Sequence, residues 1–584
     1  MHYPKLRELE SSRQMVDVFK GYNHNLRIGD GEFFDMRNMT SDYYPVLSPR
    51  GTRGVYASPE KPGGLIAKDS LCYVDGTAFV VNDYRLDMGL STAEEDCPKQ
   101  LISMGAYVII LPDKKYVNTM DLSDYGSIEA EFTTSGDVSF TLCRVDGSAY
   151  TAEYVQANEP ADPENMALWM DTSTTPHTLK QWSGTSAMWV SIATTYVKIS
   201  SRGIGTRFEQ YDGIHISGLS EIDDASELAD LEGAATVWDK GDDYIVVVGL
   251  LDTTRTITNP VTISRKMPNM DFVVEAKNRL WGCRYGVAVN GEVVNEIYCS
   301  KLGDFKNWNS FLGVATDSWV GSVGTDGQFT GAVTYLGYPL FFKENVLHKV
   351  YISDVGAHGI QDTACRGVQK GSHQSLAIVN ETLYYKARSG VCAYDGSLPV
   401  EASYHLGNES YSDAVGGAHG NKYYISMKDA ADTWHLFVYD TAKGMWHKED
   451  NLKVDDFCSC RGEMYAISGG KIITMLGSGT DGEKSVDWMA QTGPIGTDTP
   501  DMKYISKLTI RMSLALGARV RFLVQYDSIG GWEHLCTLTG KSLRSFSVPV
   551  QPRRCDHFRL RIEGEGETRI YSITKTIEQG SDIS

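Results

Sequence analysis

An aromatic-centred apolar run recurs in the chain as Pro339-Leu-Phe-Phe-Lys343, Thr382-Leu-Tyr-Tyr-Lys386, Lys422-Tyr-Tyr-Ile-Ser426 and Glu463-Met-Tyr-Ala-Ile467. The central aromatic residues are spaced 43, 40 and 41 residues apart, at Phe341, Tyr384, Tyr424 and Tyr465. Each run is followed, after a turn, by a second strand-like run. A period near 40 residues with several short strands per unit is typical of the blade of a β-propeller.

The same kind of run occurs earlier in the chain, as Thr77-Ala-Phe-Val-Val81, Ala106-Tyr-Val-Ile-Ile110 and Arg279-Leu-Trp-Gly-Cys283. Seven runs in total predict about seven blades, which bury their faces on their neighbours and protect their edges by closing a ring. The alternative is a row of β-sandwiches. Sandwiches would more often be separated by linkers, and none is evident between 330 and 480.

The repeat is interrupted once, between Tyr107 and Trp281, by far more residues than one blade needs. This gap predicts an inserted β-barrel-like domain at residues 125–235. The first propeller blades then occupy residues 61–124 and the remaining blades residues 236–490.

Both ends of the chain differ from the repeat. Residues 1–60 predict an extended N-terminal arm held by contacts with the rest of the protein, with a short helix at 6–19. Residues 500–584 alternate between polar and apolar side chains, which predicts a C-terminal β-sandwich. The predicted fold class is therefore all-β: a propeller interrupted by an inserted domain and followed by a sandwich.

Composition limits the possible partners. The formal net charge is −20 over 584 residues, a field that on average repels nucleic acid and anionic membranes. No apolar run approaches the roughly 20 residues that span a bilayer, and the N-terminus lacks a signal-peptide pattern. The 11 cysteines, odd in number and scattered, indicate free thiols made in a reducing cytoplasm.

Motifs for catalysis and ligand binding are weak. Gly29-Asp30-Gly31-Glu32 lacks the spaced carboxylates of a calcium loop, and the Gly-rich turn at 477–482 lacks a P-loop lysine. Ser300 to Trp308 and Tyr526 to Trp532 do not fit the sialidase box, and the histidines form no metal-binding pair. The sequence therefore predicts no catalytic, cofactor-binding or metal residues, no cofactor, and a protein that is not an enzyme.

Three stretches carry a family resemblance. The first joins Phe19-Lys-Gly-Tyr-Asn23, Asp35 to Thr40 and Tyr44 to Arg50; the second is Asn295 to Trp308; the third is Lys503 to Gly580 with Arg569-Ile-Tyr-Ser-Ile-Thr574. They resemble bacteriophage tail nozzle (tail tubular, or tail hub) proteins. The resemblance implies a homohexameric ring below the portal and adaptor, through which DNA passes non-specifically and to which tail fibres or other tail proteins attach.

The sequence thus predicts a virion structural protein, a tail nozzle or hub in the DNA-ejection conduit, made in the host bacterial cytoplasm and located in the virion tail. One alternative is a tail-tip propeller that binds a receptor or glycan, which clustered aromatics on the blade-top loops would favour. Another is a hydrolase, which a carboxylate and arginine cluster in the central pocket would favour. A cellular scaffold is the remaining possibility.

Overall fold

The computed structural model describes residues 11–92, 99–220, 226–288, 291–498, 501–540 and 543–579. Nearly all regular structure is β, and the sheets form a propeller of seven blades around a central channel. The predicted all-β fold with a propeller is confirmed. No helix among the described residues is long and apolar enough to cross a bilayer.

Six blades are formed by consecutive strands, which follow one another from the channel outward. Blade 1 comprises Pro62–Ala67, Leu71–Asp75, Ala78–Val81 and Tyr84–Asp87. Blade 2 comprises Gln100–Met104, Tyr107–Leu111, Lys115–Asn118 and Tyr125–Ser127. Blade 3 comprises Phe272–Ala276, Arg279–Val287, Val293–Cys299 and Trp319–Ser322. Blade 4 comprises Gly331–Tyr335, Tyr338–Lys343, Val346–Tyr351 and Gly359–Ala364.

Blade 5 comprises Ala377–Val379, Thr382–Ala387, Gly390–Tyr394 and Val400–Glu401, flanked by 3-10 turns at His373–Ser375 and Tyr404–Leu406. Blade 6 comprises Tyr411–His419, Lys422–Asp429, Trp434–Asp440 and Met445–Lys448. Six of the seven sequence runs are second strands. The seventh, Thr77 to Val81, contains the third strand of blade 1, because Leu71–Asp75 takes the second position.

Blade 7 joins the two ends of the ring. Its inner strands are Asp456–Cys460, Glu463–Ser468 and Lys471–Thr474, and its outer strand is Gly54–Ala57 from the N-terminal arm. We call Gly54–Ala57 the closing strand. Hydrophobic clusters lie between neighbouring blades all around the ring, so the propeller core is divided among the interfaces.

The inserted domain consists of three sheets between blades 2 and 3. One sheet contains Ala130–Thr133, Thr262–Arg265, Gly213–Ser217 and Gly233–Thr236. The second contains Asp239–Gly241, Tyr244–Val248, Tyr196–Ser200, Val138–Cys143 and Arg255–Ile257. The third contains Tyr154–Gln156, Leu168–Asp171, Thr178–Ser183 and Met188–Ser191. Short helical turns lie at Ile204–Thr206 and Ser226–Ala229.

The inserted domain ends at Arg265 in the structure, whereas the sequence placed its end at residue 235. Strands Tyr244–Val248, Arg255–Ile257 and Thr262–Arg265 pair with strands of this domain and not with a blade. Periodicity along the chain cannot show this, because a strand has the same alternation whichever neighbour it pairs with.

The C-terminal region is a two-sheet sandwich that also holds the arm. Its strands are Asp487–Thr492, Lys503–Leu514, Arg519–Tyr526, Glu533–Thr539, Arg544–Val548, Phe558–Glu565 and Thr568–Gln579. The remaining arm strands are Ser11–Val16, Gly21–Tyr22, Glu32–Arg37, Met39–Thr40 and Ser48–Pro49.

The arm links the propeller to the sandwich. Ser11–Val16 pairs with Thr568–Gln579 along the edge of one sandwich sheet, where the sequence predicted a helix; residues 6–10 lie outside the described part. Gly21–Tyr22 and Glu32–Arg37 continue the sheet of blade 6 into the other sandwich sheet, which makes ten strands in all.

Candidate functional site

The first candidate site is the mouth of the central channel, the end at which the innermost strands begin. A cavity of about 230 Å³ lies there, and its polar lining residues are Lys99, Gln100, His373, Gln374 and Asp456. Its apolar walls include Phe272 and Leu376. A concavity in which several polar side chains converge beside apolar walls is a candidate small-molecule site.

Asp456 is the carboxylate at this mouth. It begins the innermost strand of blade 7 and is partly exposed. Its Oδ2 accepts a hydrogen bond of 2.7 Å from the Leu65 amide of blade 1, and its Oδ1 accepts one of 2.9 Å from the Phe457 amide. Burial raises the pKa of Asp456 to about 7, so this carboxyl exchanges a proton near neutral pH.

The other titratable groups at the mouth differ in their pairing. Lys99 is buried and forms an ion pair with Asp113 while also donating to Ser91 Oγ at 2.6 Å. His373 packs its ring against Phe272 with centroids 5.2 Å apart, and burial lowers its pKa. Because burial lowers its pKa, the His373 imidazole is neutral at pH 7, and it has no hydrogen bond within the described residues.

The hydrolase alternative required a carboxylate and arginine cluster in this pocket. Among the described lining residues, the structure brings together one carboxylate, Asp456, and no arginine. Glycosidases of the usual kind use two carboxylates about 5 to 9.5 Å apart. The mouth therefore offers acid–base chemistry through Asp456 and His373 without that pair.

The side chains of the turn from Gly29 to Glu32 are bound to the arm and to the sandwich. Glu32 accepts hydrogen bonds from the Gly29 amide at 2.7 Å and from Asn23 Nδ2 at 3.0 Å, and Asp30 pairs with Lys575 of the sandwich at 2.6 Å. These residues therefore fix the arm. Within the described residues, no group of three or more His, Cys, Asp or Glu side chains is placed to hold a metal.

The second candidate site is one side of the smallest sheet of the inserted domain. Strand register pairs Tyr154 with Trp169, and Trp169 with Lys180. Trp182 pairs with Trp189 on the adjacent strands. Because paired residues share a side of a sheet and side chains alternate, four aromatic rings and Lys180 lie on the same side. We call Tyr154, Trp169, Trp182 and Trp189 the aromatic face.

The opposite side of this sheet packs on the domain through Leu168, Met170 and Leu179. On the aromatic face, the rings of Trp169 and Trp182 lie 5.3 and 5.4 Å from Trp189, in edge-to-face geometry. Trp169 is buried, whereas Trp182 and Trp189 are partly exposed. The rings thus form a small cluster that is open to solvent.

Polar groups surround this cluster. Lys180 Nζ lies 4.6 Å above the Trp169 ring and 2.7 Å from Asp171 Oδ2. Hydrogen bonds from Lys180 and Ser173 lower the pKa of Asp171 to about 2. The buried Nε1 of Trp189 has no hydrogen-bond acceptor within the described residues. The Nε1 of Trp238 in the same domain is likewise buried without an acceptor among the described residues, so this feature does not by itself mark a binding surface.

The aromatic face is not predicted by the sequence pattern. The receptor-binding alternative called for clustered aromatics on the blade-top loops, and Met188 to Ala193 is recognisable only as a strand. The available signal was a tryptophan on each of three consecutive strands, at Trp169, Trp182 and Trp189. Register was needed to show that they share one side.

The inserted domain docks on the propeller through the segment that follows the third strand of blade 3. Asn307 Oδ1 accepts a hydrogen bond of 2.7 Å from the Gly213 amide of the inserted domain. Asp212 forms a buried ion pair with Arg265, and Phe305 and Trp308 pack between blades 2 and 3. The segment from Asp304 to Trp308 therefore anchors the inserted domain to the propeller.

Comparisons with known proteins give fold likenesses only. No family model matches the sequence, and no curated protein matches it. Among solved structures, an exo-β-1,3-galactanase from Phanerochaete chrysosporium is 8% identical with a TM-score of 0.19, over 52% of this chain and 95% of that one. An engineered GH43 glycoside hydrolase with endo-xylanase and exo-arabinofuranosidase activity is 10% identical with a TM-score of 0.20, over 53% and 97%. A puromycin hydrolase is 10% identical with a TM-score of 0.16, over 64% and 58%.

These matches correct one prediction. The sequence led to the expectation that the protein is not an enzyme, and this is contradicted because the matched structures are enzymes, glycoside hydrolases among them. Nothing about substrate or mechanism follows at such low identities and TM-scores.

Proposed function

We propose that the protein is a receptor-binding component of a bacteriophage tail and that it binds carbohydrate through the aromatic face of its inserted domain. The observation that carries the proposal is the placement of Tyr154, Trp169, Trp182 and Trp189 on one solvent-facing side of a sheet. The bacteriophage assignment is supported by the sequence resemblance of the arm, blade 3 and the sandwich.

The chemistry of the face suits a sugar. Indole rings offer apolar surface to the C–H side of a pyranose. The Lys180–Asp171 pair supplies a charged donor and acceptor beside the rings. Because the two partly exposed tryptophans are held in a sheet, their side chains keep the same conformation without a ligand, which lowers the entropic cost of binding.

The test is a glycan array on the full chain, followed by calorimetry with the best ligand. Trp182→Ala and Trp189→Ala should each weaken binding by about tenfold or more, since a central aromatic anchor commonly carries about 1.4 kcal/mol or more, a factor of ten in affinity. Trp238→Ala is the matched control, because Trp238 is a partly exposed tryptophan of the same domain that lies outside the aromatic face, between strands Gly233–Thr236 and Asp239–Gly241.

The proposal fails if no glycan binds, or if both aromatic-face variants bind as tightly as the control. Following the bound glycan by mass spectrometry would also reveal cleavage, in which case the same ligand would be a substrate.

A second candidate is the tail nozzle or hub. The observation that favours it is the order of parts, an arm, an interrupted propeller and a sandwich, which is the order that the resemblance implies. The net charge of −20 also suits the wall of a DNA conduit, which must not hold phosphates.

Light scattering and negative-stain electron microscopy of the full chain test the nozzle. Six-fold rings with an open channel would support it. A monomer that stays monomeric when mixed with its neighbouring tail proteins would exclude it.

A further inference from the structure

The mouth of the central channel is separate from the aromatic face and is not explained by carbohydrate binding there. It belongs to the propeller, and its polar groups come from blades 2, 5 and 7. Asp456, His373 and Gln374 are partly exposed, so a ligand can reach them from solvent.

Charge pairing at the mouth is incomplete. Asp456 has no Lys, Arg or His within ion-pair distance among the described residues, and its two hydrogen bonds come from neutral backbone amides. The nearby cation, Lys99, is committed to Asp113 and Ser91. A carboxylate that is partly removed from water without a cation is unfavourable, which leaves the site ready for a positive charge brought by a ligand.

The walls restrict the rest of the ligand. Leu65, Leu101, Val273 and Val333 line the cavity beside Phe272 and leave a volume of about 230 Å³. These side chains can pack against a small apolar group, while the polar part of the lining receives a charged or hydrogen-bonding group. The Gln374 side chain donates to the Asp455 carbonyl at 3.2 Å, which leaves its own amide oxygen free to accept a second hydrogen bond at the mouth.

We propose that the channel mouth binds a small organic ammonium ion, with the ammonium on Asp456 and the apolar body against Phe272 and the neighbouring aliphatic side chains. An anion is disfavoured by Asp456, and a neutral ligand leaves the charge unpaired. The imidazole of His373 and the amide oxygen of Gln374 accept the remaining N–H groups.

The raised pKa of Asp456 sets the pH dependence of this binding. Among the described residues, three other charged or titratable groups face Asp456. Lys99 is paired with Asp113, and burial keeps His373 neutral. The preceding residue, Asp455, pairs with Lys453. Only ionised Asp456 attracts an ammonium ion. Affinity should therefore rise with pH up to about 7 and then level off.

Calorimetry on the full chain with cyclohexylammonium and with cyclohexanol tests the proposal, because the two probes share an apolar ring and differ in charge. We expect the ammonium ion to bind at least about tenfold tighter, a ratio worth about 1.4 kcal/mol. Asp456→Asn should abolish this preference. Asp455→Asn, which removes a neighbouring surface carboxylate, should retain it.

Equal affinity for the two probes would overturn the proposal, as would an Asp456→Asn variant that still prefers the ammonium ion. If that variant does not fold, the pH profile of the native protein decides. A cyclohexylammonium affinity that is flat between about pH 5.5 and 8, where the amine stays protonated, is incompatible with pairing to Asp456. The outcome does not depend on glycan binding, since the aromatic face lies in another domain.

Discussion

At the scale of single residues, Asp456 combines two roles. It connects blade 7 to blade 1 by accepting the Leu65 amide, and it places a carboxyl of raised pKa at the channel mouth. The hydrogen bonds favour its ionised form and burial favours its neutral form, and burial is the larger effect.

The raised pKa makes the stability of the protein depend on pH. Folded Asp456 titrates at about 7, whereas in the unfolded chain an aspartate titrates near about 4. Its contribution to stability is therefore complete below about pH 4 and is lost as the pH rises towards 7. Asp456→Asn removes this dependence. Between pH 5 and pH 8, the free energy of unfolding of the variant should therefore rise relative to that of the native protein by about 1 to 2 kcal/mol, a figure reduced for the partial exposure of the carboxyl.

Thermal unfolding at both pH values measures this. Asp455→Asn serves as the control and should show no such trend. An Asp456→Asn variant whose difference from the native protein is the same at pH 5 and pH 8 would contradict the raised pKa.

Arg53 holds the arm against blade 6. Its guanidinium is buried, with Nη2 2.5 Å from Glu449 Oε2 and Nη1 2.6 Å from Asp450 Oδ2. Arg50 extends the network by a two-pronged contact with Glu483, at 2.6 and 2.9 Å. Removing one member of such a cluster leaves carboxylates unpaired in a low-dielectric site.

Arg53→Met should therefore lower the free energy of unfolding by about 3 kcal/mol, as a urea titration would measure. Arg13→Met, which removes an exposed charge from the same arm, should change it by less than about 0.5 kcal/mol. Similar effects of the two substitutions would show that the cluster does not stabilise the arm.

At the scale of secondary-structure elements, the closing strand has the largest structural consequence. Without Gly54–Ala57, blade 7 would keep three strands and expose the edge of Lys471–Thr474. Exposed edges invite pairing with other chains. The arm thus closes the ring with a strand from the opposite end of the propeller sequence.

Val55 lies within the closing strand and donates its amide to the Thr480 carbonyl at 2.9 Å. Val55→Pro removes this donor and should destabilise the protein by about 2 kcal/mol and increase its tendency to aggregate. Val55→Thr keeps the donor and the β-branched shape, so it should cost less than half as much. Differential scanning fluorimetry with light scattering would follow both effects, and equal melting points for the two variants would show that the Val55–Thr480 hydrogen bond does not stabilise the closing strand.

At the scale of the whole molecule, the inserted domain is attached through ends that lie side by side. Ala130 at its start pairs directly with Arg265 at its end. Adjacent termini permit a domain to be removed without stretching its host. The propeller and the sandwich, in contrast, share a ten-stranded sheet and are not separable in this way.

Replacing residues 131–264 by a short Gly/Ser linker should leave a folded propeller that has lost carbohydrate binding and kept the ammonium site. Circular dichroism and calorimetry with both ligands test this. As a matched control, a truncated chain that lacks the sandwich from residue 503 onward should not fold, because truncation exposes the sheet of blade 6 and the arm. Loss of folding on removal of the inserted domain would mean that its contact with Asn307 is essential to the ring.

The sequence alone determined the features that depend on local pattern. Period-2 alternation and aromatic runs near 40 residues apart indicated the blades, because each strand must present apolar residues to both neighbouring blades. The same alternation indicated the sandwich. The single long interruption of the repeat indicated an inserted domain, although its end at Arg265 depended on which strands pair.

Only the tertiary structure decided what depends on contacts between distant residues. Arg50 meets Glu483 across 433 positions of the chain, and Asp456 meets the Leu65 amide across 391. Trp169, Trp182 and Trp189 form one face only because of the register of their strands, since a shift by one residue would turn each ring to the opposite side. A sequence specifies alternation within a strand, whereas register, ring closure and charge pairing are set by packing energies summed over the whole fold.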